Sequence, residues 1–305
     1  MLLPSFIRSH SGFFAGLSAF CIWGSLVIYW KQLDTVPALE ILSYRVVFSF
    51  LFLIGLISFI HQWGEVKKAL GQRALLLRLV ASTCAVTINW GLYIWAVTNG
   101  HITESSLGYY INPLTSIVAG ALFFGERPCR LQWAGVGIAA MGVLYSVLAY
   151  GHFPWISLVL AISFTIYGAI RKGIAIGSVT GLFVETLLLS PLTVAYLLWL
   201  HWQGQGHFFT VTPVQMGLIL GTGVVTTAPL LLFTYAARTM ALSTLGIIQY
   251  LSPTVALLCG AYIYGESISH ATKVTFMCIW AALALYSWST LRLHQQTKQA
   301  LGNRG

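Results

Sequence analysis

Arg45 is a charged residue inside a long apolar segment, a position that hydrophobic packing does not explain. A charged side chain near the centre of a membrane costs at least ~2.5 kcal/mol, so its guanidinium must face a cavity or a partner of opposite charge. Facing a cavity, Arg45 would bind a carboxylate or another anionic group of a substrate. The alternative is a fixed ion pair with Glu40 or Glu104, which lie near the ends of predicted helices. The sequence leaves both interpretations open.

Glu40, Glu104 and Glu185 each lie close to the predicted start of a helix. A carboxylate at that position is stabilised by the helix dipole, which is a structural reason for all three residues. Carboxylates inside membrane proteins also form gates and proton relays. These three glutamates are therefore candidates for gating or proton coupling, and Glu104 is placed to close an external gate against Arg45.

Amide and aromatic side chains recur inside the same apolar segments. An asparagine or glutamine in a membrane span is costly unless it is hydrogen-bonded, and aromatic walls suit flat, partly apolar ligands. For any single aromatic residue the alternative is packing at the interface or against lipid. The residues expected to line a substrate cavity with Arg45 are Asn89, Trp90, Trp95, Tyr110, Asn112, Gln249 and Tyr250.

Pro113 and Pro253 lie in the middle of two predicted spans. Each proline removes a helical hydrogen bond and frees the carbonyl of Tyr109 or Gln249. Such carbonyls are tolerated in a membrane where neighbours bind them or where they line a water-filled cavity. The two prolines are therefore predicted to be hinges of helices that line the site; the alternative is a kink needed only for packing.

Composition identifies the elements that must position these residues. Of the 305 residues, 57% are hydrophobic and 8% are charged, and the mean hydropathy is +0.81. A soluble domain carries about 25% charged residues, so a soluble enzyme, a secreted disulfide scaffold, a disordered chain and a coiled coil are excluded. The apolar segments predict an all-α polytopic membrane protein with ten transmembrane helices. Their approximate bounds are 11–31, 38–61, 74–98, 101–124, 130–150, 154–171, 178–200, 212–237, 241–264 and 270–291.

Other functional classes lack their motifs. The five cysteines form no C-x-x-C pair and the eight histidines show no ligand spacing, so neither a metal site nor a cofactor is expected. The basic residues are spread between apolar runs, which argues against nucleic acid as a partner. Hydrolase, P-loop and dinucleotide motifs are absent from the sequence, so it is not expected to be an enzyme. The expected partners are the lipid bilayer and a small-molecule substrate.

The distribution of basic residues predicts the orientation. An N-terminus on the cytoplasmic side places most of the 16 lysines and arginines there. Only Lys31 and Lys273 then lie outside, while Arg45 lies within a span. This bias follows the positive-inside rule, so both termini are predicted to be cytoplasmic.

Several short strings repeat along the chain. The matching pairs are 110–113 with 250–253 and 125–126 with 265–266 at an offset of 140, 23–24 with 167–168 at 144, and 40–42 with 185–187 at 145. Each half therefore holds five spans, and because five is odd the second half is inverted. The predicted units are a first repeat at 11–150, a second at 154–291 and a cytoplasmic tail at 292–305. Inverted repeats are typical of secondary transporters; duplication without transport is the alternative.

Two Gly-Glu pairs follow the fourth and ninth predicted spans, at Gly125-Glu126 and Gly265-Glu266. A glycine commonly ends a helix in a left-handed conformation. The glutamate after it is expected to cap the next helix in the chain, which is a structural role.

The ten-span plan and several longer strings resemble the RarD subfamily of EamA-type transporters, in the drug/metabolite transporter superfamily. These strings are 40–45, 89–97, 106–114, 125–127 and 243–254, and the likeness extends over residues 12–290. The resemblance implies a bacterial inner-membrane permease and does not supply a substrate.

The combined interpretation is a secondary transporter that moves a small organic metabolite or drug-like molecule across the bacterial inner membrane by alternating access, in the direction of export. Since no loop is long enough for a nucleotide-binding domain, the driving force must come from a gradient. Two alternatives stay open. One is a non-transporting assembly or sensor protein, and the other is a channel-like facilitator.

Overall fold

The structure, a computed structural model, describes residues 5–99, 101–265 and 268–302, and over these residues the chain is helical. The helices are α1 (Ser5–Lys31), α2 (Ala38–Phe59), α3 (Trp63–Gly71), α4 (Arg73–Thr98), α5 (Ile102–Phe124), α6 (Arg130–Tyr150), α7 (Trp155–Gly173), α8 (Ser178–Trp202), α9 (Pro213–Thr239), α10 (Leu242–Gln249), α11 (Leu251–Ile263) and α12 (His270–Gly302). Nine segments of the described chain are long and apolar enough to cross a membrane, with α10 and α11 counted as one. The prediction of an all-α membrane protein is confirmed.

The largest buried cluster draws side chains from α1, α2, α3, α4, α5, α7, α8, α9 and α10. At its centre, the rings of Phe20, Trp23, Phe164, Tyr167 and Phe233 form an aromatic group in which neighbouring ring centroids lie 5.1 to 6.1 Å apart. Because α1 rises about 1.5 Å per residue, Phe20 lies about 16 Å from the end of this helix at the α1–α2 loop. The bundle is therefore packed with aromatic rings well below that loop.

Glycine allows two of the closest helix contacts. A Cβ atom at Gly24 of α1 would lie 2.6 Å from the carbonyl oxygen of Ser252 on α11. A Cβ atom at Gly246 of α10 would lie 2.9 Å from the carbonyl oxygen of Pro113 on α5. Small residues let membrane helices approach in this way, and these contacts bring α1 against α11 and α5 against α10.

The two mid-span prolines have different settings. Pro113 is buried inside α5, which is unbroken from Ile102 to Phe124. The segment that contains Pro253 is interrupted at Tyr250, between α10 and α11, three residues before the proline. The matching strings 110–113 and 250–253 therefore lie in a continuous helix in one case and at a helix break in the other.

Helix α3 is a short element that hydropathy did not predict. Val66 and Ala69 are buried on one side, while Lys67 and Lys68 are exposed. Because its apolar residues are few, no window of membrane-spanning length contains them.

Glu126 caps a helix other than the predicted one. Gly125 ends α5 with a φ of 61°, as expected. The carboxylate of Glu126 then accepts hydrogen bonds from the backbone N–H groups of Leu242 (2.7 Å) and Ser243 (2.8 Å), at the start of α10. The ammonium group of Lys172 lies 3.3 Å from the same carboxylate. The prediction that Glu126 caps the next helix in the chain is wrong, because tertiary packing brings the start of α10 to this loop.

The start of α6 is capped by Gln132 instead, whose Oε1 accepts from the backbone N–H of Cys129 over 2.8 Å. Burial alone would raise the pKa of Glu126, but its backbone hydrogen bonds and the Lys172 ammonium hold that pKa below the ordinary value. The second Gly-Glu pair contains Glu266, which lies outside the described residues.

We expect Glu126→Gln to lower the free energy of unfolding at neutral pH by about 1 kcal/mol, because hydrogen bonds to a carboxylate are stronger than hydrogen bonds to an amide. The pKa of Glu126 is lower in the folded than in the unfolded protein. Its contribution is therefore present above the unfolded pKa and is lost as the pH falls through the folded pKa. Thermal melts in detergent across acidic to neutral pH should show the two proteins converging on acidification; a pH-independent difference would contradict this account.

Candidate functional site

A cavity of about 730 Å³ lies between α1, α2, α4, α5, α7, α9, α10 and α11. It begins at residues 33–37 of the α1–α2 loop and ends at Phe20, Phe164 and Leu230, where the aromatic group closes the bundle. Small-molecule sites typically have volumes of about 300–1,000 Å³. The cavity therefore has room for one organic molecule. The predicted residues that line it are Arg45, Asn89, Trp90, Asn112, Gln249 and Pro253.

Arg45 extends from α2 into this cavity. Its Nε donates to Oγ1 of Thr226 over 3.0 Å. Its guanidinium carbon lies 4.9 Å from the ring centroid of Trp30 and 5.2 Å from that of Trp90. An indole face stabilises a cation by about 0.5–2 kcal/mol, so the two tryptophans hold the charge without neutralising it. Neither Nη nitrogen has a hydrogen-bond partner among the described residues, and both can bind a ligand.

The glutamates proposed as partners of Arg45 are bound elsewhere. Glu40 is buried at the start of α2, and its carboxylate accepts from the backbone N–H of His207 over 2.7 Å. Glu104 accepts from the hydroxyl of Tyr150 over 2.8 Å. Among the ion pairs of the described residues none involves Arg45, so in this conformation Arg45 is paired with neither Glu40 nor Glu104. A gate between Glu104 and Arg45 in another conformation stays a prediction.

Glu185 lies apart from the cavity, on α8. Its carboxylate is buried, accepts from the hydroxyl of Ser82 over 2.6 Å, and lies 3.6 Å from the Arg171 guanidinium. The repeat partner of Glu40 therefore occupies a buried ionic site of its own.

The amide of Asn89 is held against α7. Its Nδ2 donates to the carbonyl of Leu160 over 2.7 Å and to the hydroxyl of Ser163 over 3.1 Å. These bonds use the donor end of the amide. Its Oδ1 has no partner among the described residues, so Asn89 presents an acceptor to the cavity.

Asn112 and Gln249 present the opposite ends of their amides. Oδ1 of Asn112 accepts from the hydroxyl of Thr165 over 3.1 Å, and Oε1 of Gln249 accepts from Ser116 over 3.4 Å. Within the described residues the two NH₂ groups find no partner, and both side chains line the cavity. A ligand in the cavity can therefore accept hydrogen bonds from Asn112 and Gln249 and donate one to Asn89.

Several predicted residues lie outside the cavity wall. Trp95 is 44% exposed and stacks on His101. Tyr250 is buried, and its hydroxyl donates to the carbonyl of Tyr110 over 3.1 Å. Successive residues of a helix are rotated by about 100°, so Tyr110 faces α12 while Tyr109 faces the cavity. Pro113 lies on the side of α5 that packs against α10, also outside the cavity wall.

The sequence analysis did not single out Trp23, Trp30, Tyr93, Tyr109 or Ser252 as lining residues, although the structure places them all in the wall. The rings of Tyr93 and Tyr109 pack edge to face at 6.0 Å. Helical spacing could have found some of them: Tyr93 is one turn after Asn89, and Tyr109 is three residues before Asn112. A bundle of apolar helices around a polar cavity that reaches one end is the architecture of a membrane transport protein.

Comparison with known proteins agrees with this class. The model of the EamA-like transporter family matches residues 10–148. The chain is 40% identical to protein RarD of Escherichia coli (strain K12), over 96% of this chain and 99% of that one. It is also 40% identical to the uncharacterized transporter YojE of Bacillus subtilis (strain 168), over 92% and 94% of the two chains. The chain therefore belongs to the EamA-like transporter family, among its RarD proteins.

A solved crystal structure of a protein with 16% sequence identity superposes with a TM-score of 0.68. The superposition covers 91% of this chain and 98% of that one. At this identity the comparison supports the fold alone.

We expect Thr226→Val to weaken binding of an acidic ligand about tenfold or more, because the hydroxyl that orients Arg45 is lost and a hydrogen bond to a charged group contributes about 1.5 kcal/mol or more. The matched control is Thr227→Val, since the buried hydroxyl of Thr227 has no hydrogen-bond partner. The two variants are compared by the half-saturating concentration of the acidic ligand in proteoliposomes. Equal values for the two variants would argue against an orienting role for Thr226.

Proposed function

We propose that this EamA-family transporter is a secondary carrier that moves small organic molecules with an acidic group across the bacterial inner membrane by alternating access. The observation that carries the proposal is the guanidinium of Arg45, which lies in a cavity without a carboxylate partner among the described residues. A cation in a low-dielectric site attracts an anion far more strongly than one in water. The indoles beside it and the three amides suit a flat, partly apolar molecule with polar groups.

The proposal includes ten spans in two inverted halves, with α12 as the tenth. The spans of the first repeat, 11–150, are α1, α2, α4, α5 and α6, and the short α3 also lies within it. The second repeat, 154–291, holds α7 to α11 and α12 up to residue 291, and 292–305 form the tail. Helix packing supports this division. Helix α1 packs on α9 and α11, as α7 packs on α4 and α5, and α2 packs on α9 as α8 packs on α4. These are the exchanges that a twofold relation between the halves predicts.

Alternating access is supported by the difference between the two ends of the bundle. Residues that line the cavity in the first half have repeat counterparts in the second half that are buried in the largest core cluster. The pairs are Trp23 with Tyr167, Trp30 with Ile174, Tyr93 with Phe233, Ser105 with Leu245 and Gly108 with Ile248. We call the end of the bundle that this core cluster fills, opposite the cavity entrance, the packed end. If the halves exchange conformations, the packed end opens and the cavity closes, which is the rocking motion of inverted-repeat carriers.

The orientation follows from the positive-inside rule. With cytoplasmic termini, the α1–α2 loop and the cavity that begins at it face the outside, and the packed end faces the cytoplasm. Export then requires that an acidic substrate enter from the packed end in a second conformation. Uptake into inverted and right-side-out vesicles tests the direction.

The test of the proposal is counterflow in proteoliposomes, with labelled amino acids, nucleosides, organic acids and chloramphenicol, each acid beside its amide. We expect saturable counterflow of one or more acids and a half-saturating concentration at least about tenfold higher for the matched amide, because a charge-assisted hydrogen bond is lost. Arg45→Ala should abolish counterflow of the acid while the amount of folded protein is unchanged. The matched control is Arg78→Ala, since Arg78 is exposed outside the cavity.

Each alternative has its own result in this experiment. Flux that does not saturate and shows no counterflow would indicate a channel-like facilitator. A folded protein that moves none of these compounds, and whose cellular phenotype survives Arg45→Ala, would indicate an assembly or sensor protein. A fully active Arg45→Ala variant would refute the role of Arg45.

We also propose Pro113 and Pro253 as hinges, since the predicted ninth span, which contains Pro253, already divides at Tyr250. Pro253→Ala should lower the maximal counterflow rate several-fold while changing the half-saturating concentration less, because a restored helical hydrogen bond opposes bending. Pro113→Ala, in an unbroken helix, should have the same effect in weaker form. Unchanged rates for both variants would reduce the prolines to packing.

A further inference from the structure

Arg171 and Glu185 form a buried ion pair at the packed end of the bundle. Their side chains are 1% and 2% exposed, and Nη1 of Arg171 lies 3.6 Å from Oε1 of Glu185. The hydroxyls of Ser82 and Tyr167 donate to the two carboxylate oxygens over 2.6 and 3.4 Å. The pair therefore joins α4, α7 and α8 at one point.

The guanidinium of this pair is incompletely bound. Nη2 of Arg171 donates to the carbonyl of Ser178 over 3.2 Å, but Nε and Nη1 are buried without a hydrogen-bond partner. An unsatisfied buried N–H group loses its hydration without compensation, and an ion pair repays its desolvation only when its remaining hydrogen bonds are made. Water reaching this site would satisfy the free nitrogens. The pair is thus a contact that opening of the packed end would relieve.

The position of the pair in the repeat matches the open side. Glu185 is the repeat counterpart of Glu40, at the start of α2, and Arg171 is the counterpart of Val27, which lines the cavity. In the open half, α1 and α2 flank the cavity entrance. In the closed half, the corresponding helices α7 and α8 are joined by this ion pair.

We propose that the Arg171–Glu185 ion pair is the gate of the closed end: it holds α7 against α8 in the conformation described here and separates when the packed end opens. The proposal rests on the proposed alternating access, and it adds Arg171 as a gating residue. The charges of the two arginines are then used differently: the Arg45 guanidinium is available to a ligand, whereas the Arg171 guanidinium is paired with Glu185 of the protein itself.

A substitution at Gly181 disturbs the gate without removing a charge. A Cβ atom there would overlap the Arg171 guanidinium and would lie 2.6 Å from its Cζ. Because the obstructing group is the end of a flexible side chain, Gly181→Ala displaces the guanidinium from Glu185 while both charges remain. The matched control is Gly173→Ala, where a Cβ meets no atom within 4 Å.

The test measures accessibility at both ends of the bundle with two cysteine reporters. Ala38→Cys places a thiol in the wall of the open cavity, and Leu182→Cys places one in the buried core one turn before Glu185. The rate of maleimide labelling of each reporter peptide is read by mass spectrometry in detergent-purified, full-length protein. Each reporter is combined with Glu185→Gln, with Gly181→Ala and with Gly173→Ala.

We expect Glu185→Gln and Gly181→Ala to raise the labelling rate at Leu182→Cys at least about tenfold, because a minor state of about 0.1–10% becomes a major one. The rate at Ala38→Cys should fall in the same proteins, since the cavity closes as the other end opens. Gly173→Ala should change neither rate. If Glu185→Gln does not fold, Gly181→Ala decides the question.

An unchanged rate at Leu182→Cys, or faster labelling of both reporters together, would overturn the gate, because a structural ion pair or local unfolding gives those results. Counterflow of the same variants is measured separately. If the two labelling rates change in opposite directions but no tested compound shows counterflow, the gate is supported and the carrier function is refuted. If counterflow occurs but the labelling rates do not change, the carrier function is supported and the gate is refuted.

Discussion

A charge inside an apolar bundle must be neutralised or must face water, and the rest of this structure depends on how the chain meets that constraint. Glu40 uses the backbone and ring of His207, from a loop 167 residues further along the chain. Glu185 uses Arg171. Arg45 forms no ion pair with a carboxylate of the described residues and instead lies between two indoles at the wall of a cavity. The cavity therefore accommodates this cation within the apolar bundle.

The two ends of the bundle use related sequences for opposite purposes. At the cavity, the side chains of Trp23, Trp30, Trp90, Tyr93 and Tyr109 form part of the wall around an open space. At the packed end, the ring of Phe233 contacts those of both Phe20 and Phe164 and fills the space between the helices. Phe20 and Phe164 are repeat counterparts, and together they form the floor of the cavity. A carrier needs such a floor, because a continuous polar path through both ends would conduct like a channel.

The polar groups of the cavity wall are held by neighbouring helices before a ligand arrives. Asn89 is anchored to α7, Asn112 to Thr165 of the same helix, and Arg45 to Thr226 of α9. These hydrogen bonds fix one end of each side chain and leave the other end directed at the cavity. Preorganisation of this kind lowers the entropy lost on binding. It also links the cavity wall to α7 and α9, two helices that pack against each other and contribute to the largest buried cluster.

The sequence alone determined the membrane class, the helical segments and the polar residues worth examining, because hydropathy and charge are sums over short windows. It also determined the family, through strings that are local in the chain. Only the tertiary structure decided which face of each helix borders the cavity: Tyr109 lines it and Tyr110 does not, although both were visible as aromatic residues. It also decided the partners of Glu126 and Glu40, which lie more than a hundred residues away. Those choices depend on how distant helices pack together, and no local pattern in the sequence contains that information.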